Sequence, residues 1–168
     1  MAAHSGSFDL LLGRHTYDIW AGYWPTAKNG FADSINAATK YVVTHRPDSL
    51  GWGPFEGLPT PSDTERPPGA PGLGADMVEG VRGIKAKDGP DLILWGSSTL
   101  TSILLEHGLA DEVMLLAYPV LLGKGKRFFS DRTPPCKLAL TGTKAVSSGI
   151  IISTYTPDGP LQTGSYQN

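Results

Sequence analysis

Apolar and polar positions along the chain switch repeatedly between a strand-like and a helix-like period. Phe8–Leu12 is a short apolar run ending at Gly13, which predicts a buried strand. A helical pattern begins at about Thr16, with Tyr17, Ile19, Trp20 and Tyr23 available for packing, until Pro25 stops it. Phe31, Ile35 and Ala38 predict a second short helix with Asp33 near its start, and Tyr41–Thr44 a brief β-branched strand. Further on, Asp76 followed by Glu79 has capping-box spacing, opening a helix with Met77, Val81 and Ile84 on its apolar face and Gly89 at its end.

Asp91–Trp95 is the clearest strand, apolar at every position from Leu92, as in a parallel strand covered on both faces. Gly96 turns the chain and Ser97 or Ser98 caps a helix with Leu100, Ile103, Leu104 and His107 on one stripe. Gly108 suits the left-handed position after that helix, with Leu109 able to touch Leu104 in a Schellman ending. Val113–Tyr118 predicts another buried strand closed by Pro119. Lys137–Val146 and Ile150–Thr156 predict two strands joined by Ser147-Ser148-Gly149. Strands separated by helices imply right-handed crossovers, hence an α/β fold with a mainly parallel sheet and a C-terminal antiparallel hairpin. No internal repeat is present.

The 168 residues suit a single domain spanning 1–168. Net charge −2 supplies no electrostatic footprint for nucleic acid or an anionic membrane. The one cysteine, Cys136, excludes an internal disulfide and a multi-cysteine zinc site. No apolar run reaches membrane-spanning length and the first residues lack signal-peptide character, so a cytoplasmic protein is expected. Glycine and proline are in excess, with six of each in the 24 positions from Gly51 to Gly74. That stretch, at about 47–75, has no apolar period and is expected to be a long surface loop, either functional or disordered.

In an open parallel sheet, ligands lie outside the carboxyl ends of the strands. Three such ends carry suggestive residues: Gly13-Arg14-His15-Thr16, Thr44-His45-Arg46 and Gly96-Ser97-Ser98-Thr99. Two of them lead directly into helices, where glycine admits close approach and free N–H groups favour an anion. With Arg14 and Arg46 alongside, they make a candidate site for two phosphate-bearing regions. Gly-Ser before a helix is also ordinary capping; repetition along one edge is what favours a site.

Other patterns point nowhere so specific. Histidines 4, 15, 45 and 107 lack metal-ligand spacing, so no metal is expected. Gly96-Ser97-Ser98-Thr99-Leu100 lacks the second glycine of a nucleophile elbow. Gly123-Lys-Gly-Lys-Arg127 is a phosphate-holding or a solvated loop, and Trp20, Trp24, Trp52 and Trp95 are core or pocket-wall residues.

Leu10-Leu-Leu-Gly-Arg-His-Thr-Tyr-Asp-Ile-Trp20 resembles the strand–turn–helix of dihydrofolate reductases, and Leu92-Ile-Leu-Trp-Gly-Ser-Ser-Thr-Leu100 resembles their later Gly-Gly turn. The closer resemblance is to the C-terminal reductase domain of bacterial riboflavin-pathway deaminase–reductases and its stand-alone relatives. It is carried by Leu104-Leu-Glu-His-Gly-Leu-Ala-Asp-Glu-Val113 and Pro119-Val-Leu-Leu-Gly-Lys-Gly-Lys-Arg-Phe-Phe129, within a similarity running from about Phe8 to Tyr155.

The resemblance implies a dihydrofolate reductase-like fold and an NADPH site on the edge just described. Gly13–Thr16 would lie against the dinucleotide phosphates, and Thr44–Arg46 near the adenosine 2′-phosphate, with Arg46 as its cation. Gly96–Thr99 would meet the pyrophosphate and nicotinamide ribose. The implied activity is hydride transfer to a heterocyclic or ribosyl small-molecule substrate; no residue is singled out as catalytic. The alternative is a non-catalytic nucleotide-binding or interaction protein on the same scaffold.

Two departures bear on substrate. Trp95 stands where riboflavin-pathway reductases usually carry an acidic residue. Such proteins also open with a further strand and helix before the element matching Phe8–Leu12, and the expectation is that this chain lacks them. An interior place in the sheet would then be vacant, leaving unpaired backbone groups and uncovered apolar surface. Self-association, as a homodimer, is expected to follow.

Overall fold

A computed structural model of the protein describes residues 7–44, 51–52, 77–129, 131, 133–162 and 164. His45, Arg46, Asp76 and the Gly/Pro-rich stretch, apart from Gly51 and Trp52, lie outside the described residues. The chain divides into two compact units, Met1–Ser97 and Ser98–Asn168.

The first unit opens with β1 (Phe8–Gly13), α1 (Arg14–Ala21) and a 3-10 turn at Trp24–Thr26. It continues with α2 (Gly30–Ala37), β2 (Lys40–Val43), α3 (Met77–Lys85) and β3 (Asp91–Leu94). The strands form a parallel sheet in the order β2-β1-β3. Leu10, Leu11 and Leu12 on the central strand are fully buried; Leu10 and Leu12 pack with Tyr17, Ile35, Ala38, Val42 and Trp52. Burial of that many large side chains, each contributing about 1.5–3 kcal/mol, anchors the unit. The apolar run of β3 led to an expectation of cover on both faces, yet Leu92, Ile93 and Leu94 are only half-buried. Among the described residues β3 is an edge strand with β1 as its single neighbour.

Local sequence explains the helix ends. Gly13, in extended conformation, starts α1 two residues earlier than the apolar period suggests, and Gly22 follows its last turn before Pro25 is reached. Asn29 caps α2 through its side-chain oxygen, which accepts the Ala32 N–H at 2.9 Å. In α3, Met77 and Val81 are buried, and the exposed Glu79 pairs with Arg82; the helix stops at Lys85, before Gly89.

The second unit holds α4 (Ser98–Glu106), β4 (Val113–Ala117), β5 (Cys136–Ala145) and β6 (Ile151–Pro160). Its strands form an antiparallel sheet in the order β4-β6-β5. The C-terminal hairpin is present, turning at Gly149 with φ +83°. Val113–Ala117 does not extend the parallel set: it runs antiparallel to β6, with Leu115 opposite Ser153. Helix α4 ends in the expected Schellman motif: Leu109 N–H donates to the Leu104 carbonyl at 2.8 Å, and Gly108 takes φ +63°. Among the described residues no helix is long and apolar enough to cross a membrane, and no group of three His, Cys, Asp or Glu is placed to hold a metal.

Candidate functional site

Parallel pairing sets three of the strand ends side by side. Gly13 lies opposite Val43, so Thr44 follows on one flank of β1. Leu11 lies opposite Leu94, the last pair of that register, so Trp95 and Gly96 follow on the other flank. The first unit thus gathers Gly13, Arg14, His15, Thr16, Thr44, Gly96 and Ser97 along its carboxyl edge. Ser98 and Thr99 follow directly in sequence but open α4 in the second unit, where Ser98 is buried and its carbonyl accepts the Ser102 hydroxyl at 2.9 Å.

The edge carries features that an anion cradle would use. Gly13 makes no side-chain cap, so no side chain at that position occupies the first-turn N–H groups of α1. Arg14 adds positive charge there and is steered by Asp18, whose carboxylate accepts from Nε at 2.8 Å. His15 is exposed and Thr44 buried. Gly96 has φ +70°, and among the described residues a Cβ built on it would meet nothing within 4 Å, which leaves space above this backbone. Ser97 follows at φ +53°, the single non-glycine residue with positive φ among those described. Such conformations concentrate where a fold clamps a ligand.

A second polar arrangement, not foreseen from the sequence, sits around Asn36. Its Nδ2 donates to the Trp24 carbonyl and its Oδ1 accepts from Trp52 Nε1, both at 2.9 Å. Its own carbonyl accepts from Lys40 Nζ at 2.6 Å, and that ammonium lies 4.6 Å from the Trp52 ring centroid. Burial pulls the Lys40 pKa down to about 8, against a smaller opposing pull from Asp9. Burial likewise raises Tyr17 and Tyr41. Lys40 begins β2, at the end of the sheet away from the cradle. The tryptophans beside this network were legible only as core or wall residues, because nothing local links Trp52 to Asn36 sixteen positions earlier.

The comparisons with known proteins agree with this architecture. Residues 55–152, more than half of the chain, match the model of the RibD C-terminal domain. The uncharacterized protein YyaP of Bacillus subtilis (strain 168) is 28% identical over 153 residues, covering 87% of this chain and 72% of that protein. A putative riboflavin biosynthesis protein from Shewanella sp. PV-4 superimposes with a TM-score of 0.61 at 18% identity, over 92% of this chain and 75% of that one. A pyrimidine reductase-like protein from Corynebacterium diphtheriae gives 0.62 at 11% identity, over 89% and 75%. The fold is therefore that of the riboflavin-biosynthesis reductase-like α/β proteins. The chain belongs to the RibD C-terminal domain family.

Proposed function

We propose that the chain is an NADPH-dependent reductase of the dihydrofolate reductase and riboflavin-pathway pyrimidine reductase type. The carrying observation is the carboxyl edge of the first sheet, where the start of α1 at Gly13 is flanked by Thr44 and by the open turn at Gly96 and Ser97. The residues present fit a phosphate-bearing dinucleotide. The α1 N–H groups have no Gly13 side chain over them, Arg14 supplies charge, and the absent Cβ of Gly96 leaves room for close approach. Gly13–Thr16 would hold phosphate through backbone N–H groups. Thr44, with His45 and Arg46 beyond it, would meet the adenosine 2′-phosphate; these last two enter from the sequence pattern. Gly96 and Ser97 would meet the pyrophosphate and ribose, with Ser98 and Thr99 entering from the sequence pattern alone. The bound cofactor would supply hydride for reduction of a heterocyclic or ribosyl small molecule.

A cytoplasmic homodimer belongs to the same proposal. In the second unit Tyr118, Val120 and Leu122 are exposed and Leu121 is wholly so, at 103%. Contiguous apolar surface of this kind is seldom left bare on a monomer.

Titrating NADPH while following tryptophan fluorescence, then following its consumption with pterin and pyrimidine acceptors, tests the assignment. Saturable binding with turnover is expected. Binding without turnover on any acceptor would favour a non-catalytic nucleotide-binding protein, and no binding would remove the assignment.

A further inference from the structure

Lys40 is a half-buried cation that the nucleotide reading does not use. It begins β2, at the opposite end of that strand from Thr44, so its chemistry is independent of the nucleotide assignment. Its Nζ donates to the Asn36 carbonyl at 2.6 Å and lies 4.6 Å from the centroid of the Trp52 ring. The indole is held in turn, by its N–H on Asn36 Oδ1 and by packing on Tyr17.

Both of these partners are neutral, and neither titrates. Asp9 of β1 is the charged group that acts on the amine among the described residues. Its Oδ1 accepts the Thr39 N–H at 3.0 Å, and no ion pair among the described residues includes Lys40. A lysine in this setting holds its proton weakly, because burial disfavours the ammonium and no paired carboxylate offsets that. With its pKa pulled down to about 8, about a tenth of the amine is free at neutral pH, against less than about a thousandth for an ordinary lysine.

We propose that Lys40 is a modification site, a nucleophilic amine that takes a small acyl group from an activated donor, an acyl phosphate or an acyl thioester. The amine lone pair attacks the acyl carbon and the C–N bond forms. The C–O bond to phosphate, or the C–S bond to the thiol, breaks; the leaving group keeps that electron pair and the amine proton passes to solvent. Nothing is oxidised or reduced. The product suits its surroundings: an amide keeps one N–H for the Asn36 carbonyl and removes the charge that burial penalises, giving up only the attraction to the Trp52 ring. A neutral imine from an aldehyde would have no N–H for that carbonyl, and a carbamate from carbon dioxide would set a second negative charge against Asp9.

Incubating the full chain at neutral pH with acetyl phosphate and, separately, with acetyl-coenzyme A, and following each lysine by peptide mass spectrometry, tests the assignment. Lys40 should be acetylated at least about fivefold faster than the exposed Lys28, Lys87 and Lys144 with one donor or both, and the donor that works identifies the source. Its rate should climb about tenfold per pH unit and then level off above about pH 8. In the urea-unfolded chain both the preference and this plateau should be lost. Acetylation of Lys40 no faster than that of the exposed lysines with both donors, a rate still climbing at about pH 10, or the same preference in the unfolded chain would each overturn the site.

Discussion

Trp52 Nε1 donates to Asn36 Oδ1 at 2.9 Å, tying the segment after β2 to helix α2 within the buried core. The ring of Trp52 also packs on Tyr17 at 5.4 Å, so the bond fixes an aromatic side chain that the core needs. Asn36→Ala would leave the indole N–H without its acceptor and remove the bond to the Trp24 carbonyl. The expected loss is about 2–3 kcal/mol, the usual cost of a stranded buried donor. Trp52→Phe, which removes the donor and keeps a ring, should cost less than Asn36→Ala. Urea unfolding midpoints check both, and an Asn36→Ala protein as stable as wild type would mean that the network carries no stability.

Lys40 gives stability a distinctive pH dependence. Its folded pKa, about 8, lies below the 10.5 of an unfolded lysine, so between those values the unfolded chain binds the additional proton. Stability should therefore rise with pH from about 8 upward. Tyr17 and Tyr41 act in the opposite sense: burial raises their folded pKa values, so stability falls as pH passes through 10. A maximum between the two is expected in thermal unfolding measured across the range. Lys40→Met should abolish the rising limb and leave the falling one; a rising limb that survives the substitution would assign it to another group.

Much of the fold was legible because its signals are local. The glycine in the left-handed position after α4 and the turn at Gly149 each follow from one residue's backbone freedom. The buried triplet Leu10–Leu12 identified the central strand of the first sheet. What failed was direction and neighbourhood. An apolar run looks the same in a central strand and in β3 at an edge, and Val113–Ala117 shows no sign of pairing antiparallel with β6. That Gly13, Thr44 and Gly96 stand along one edge of the sheet was legible from strand ends and glycines. The contact of Trp20 with Trp95 was not, since the two rings meet only once the sheet has formed.

Self-association should depend on the bare apolar turn after β4. Light scattering at micromolar concentration is expected to give twice the chain mass, and Leu121→Asp combined with Leu122→Asp to give the monomer. Both side chains are exposed, so the substitutions should leave folding unchanged. A wild-type monomer with a sharp unfolding transition would contradict the homodimer.

Arg46→Ala should weaken NADPH by about tenfold or more while leaving NADH within about twofold, because a guanidinium pairs with the 2′-phosphate that NADH lacks. Competition titration of the two nucleotides measures it, and equal weakening would remove Arg46 from that role.

The edge formed by Gly13–Thr16, Thr44 and the Gly96–Ser97 turn should bind a phosphate-bearing dinucleotide. Isothermal titration of NADPH into the full chain tests it most directly. One saturable site per chain is expected, with a dissociation constant in the micromolar range, roughly −8 kcal/mol of binding free energy. Absence of measurable heat and of tryptophan quenching at millimolar NADPH would contradict it.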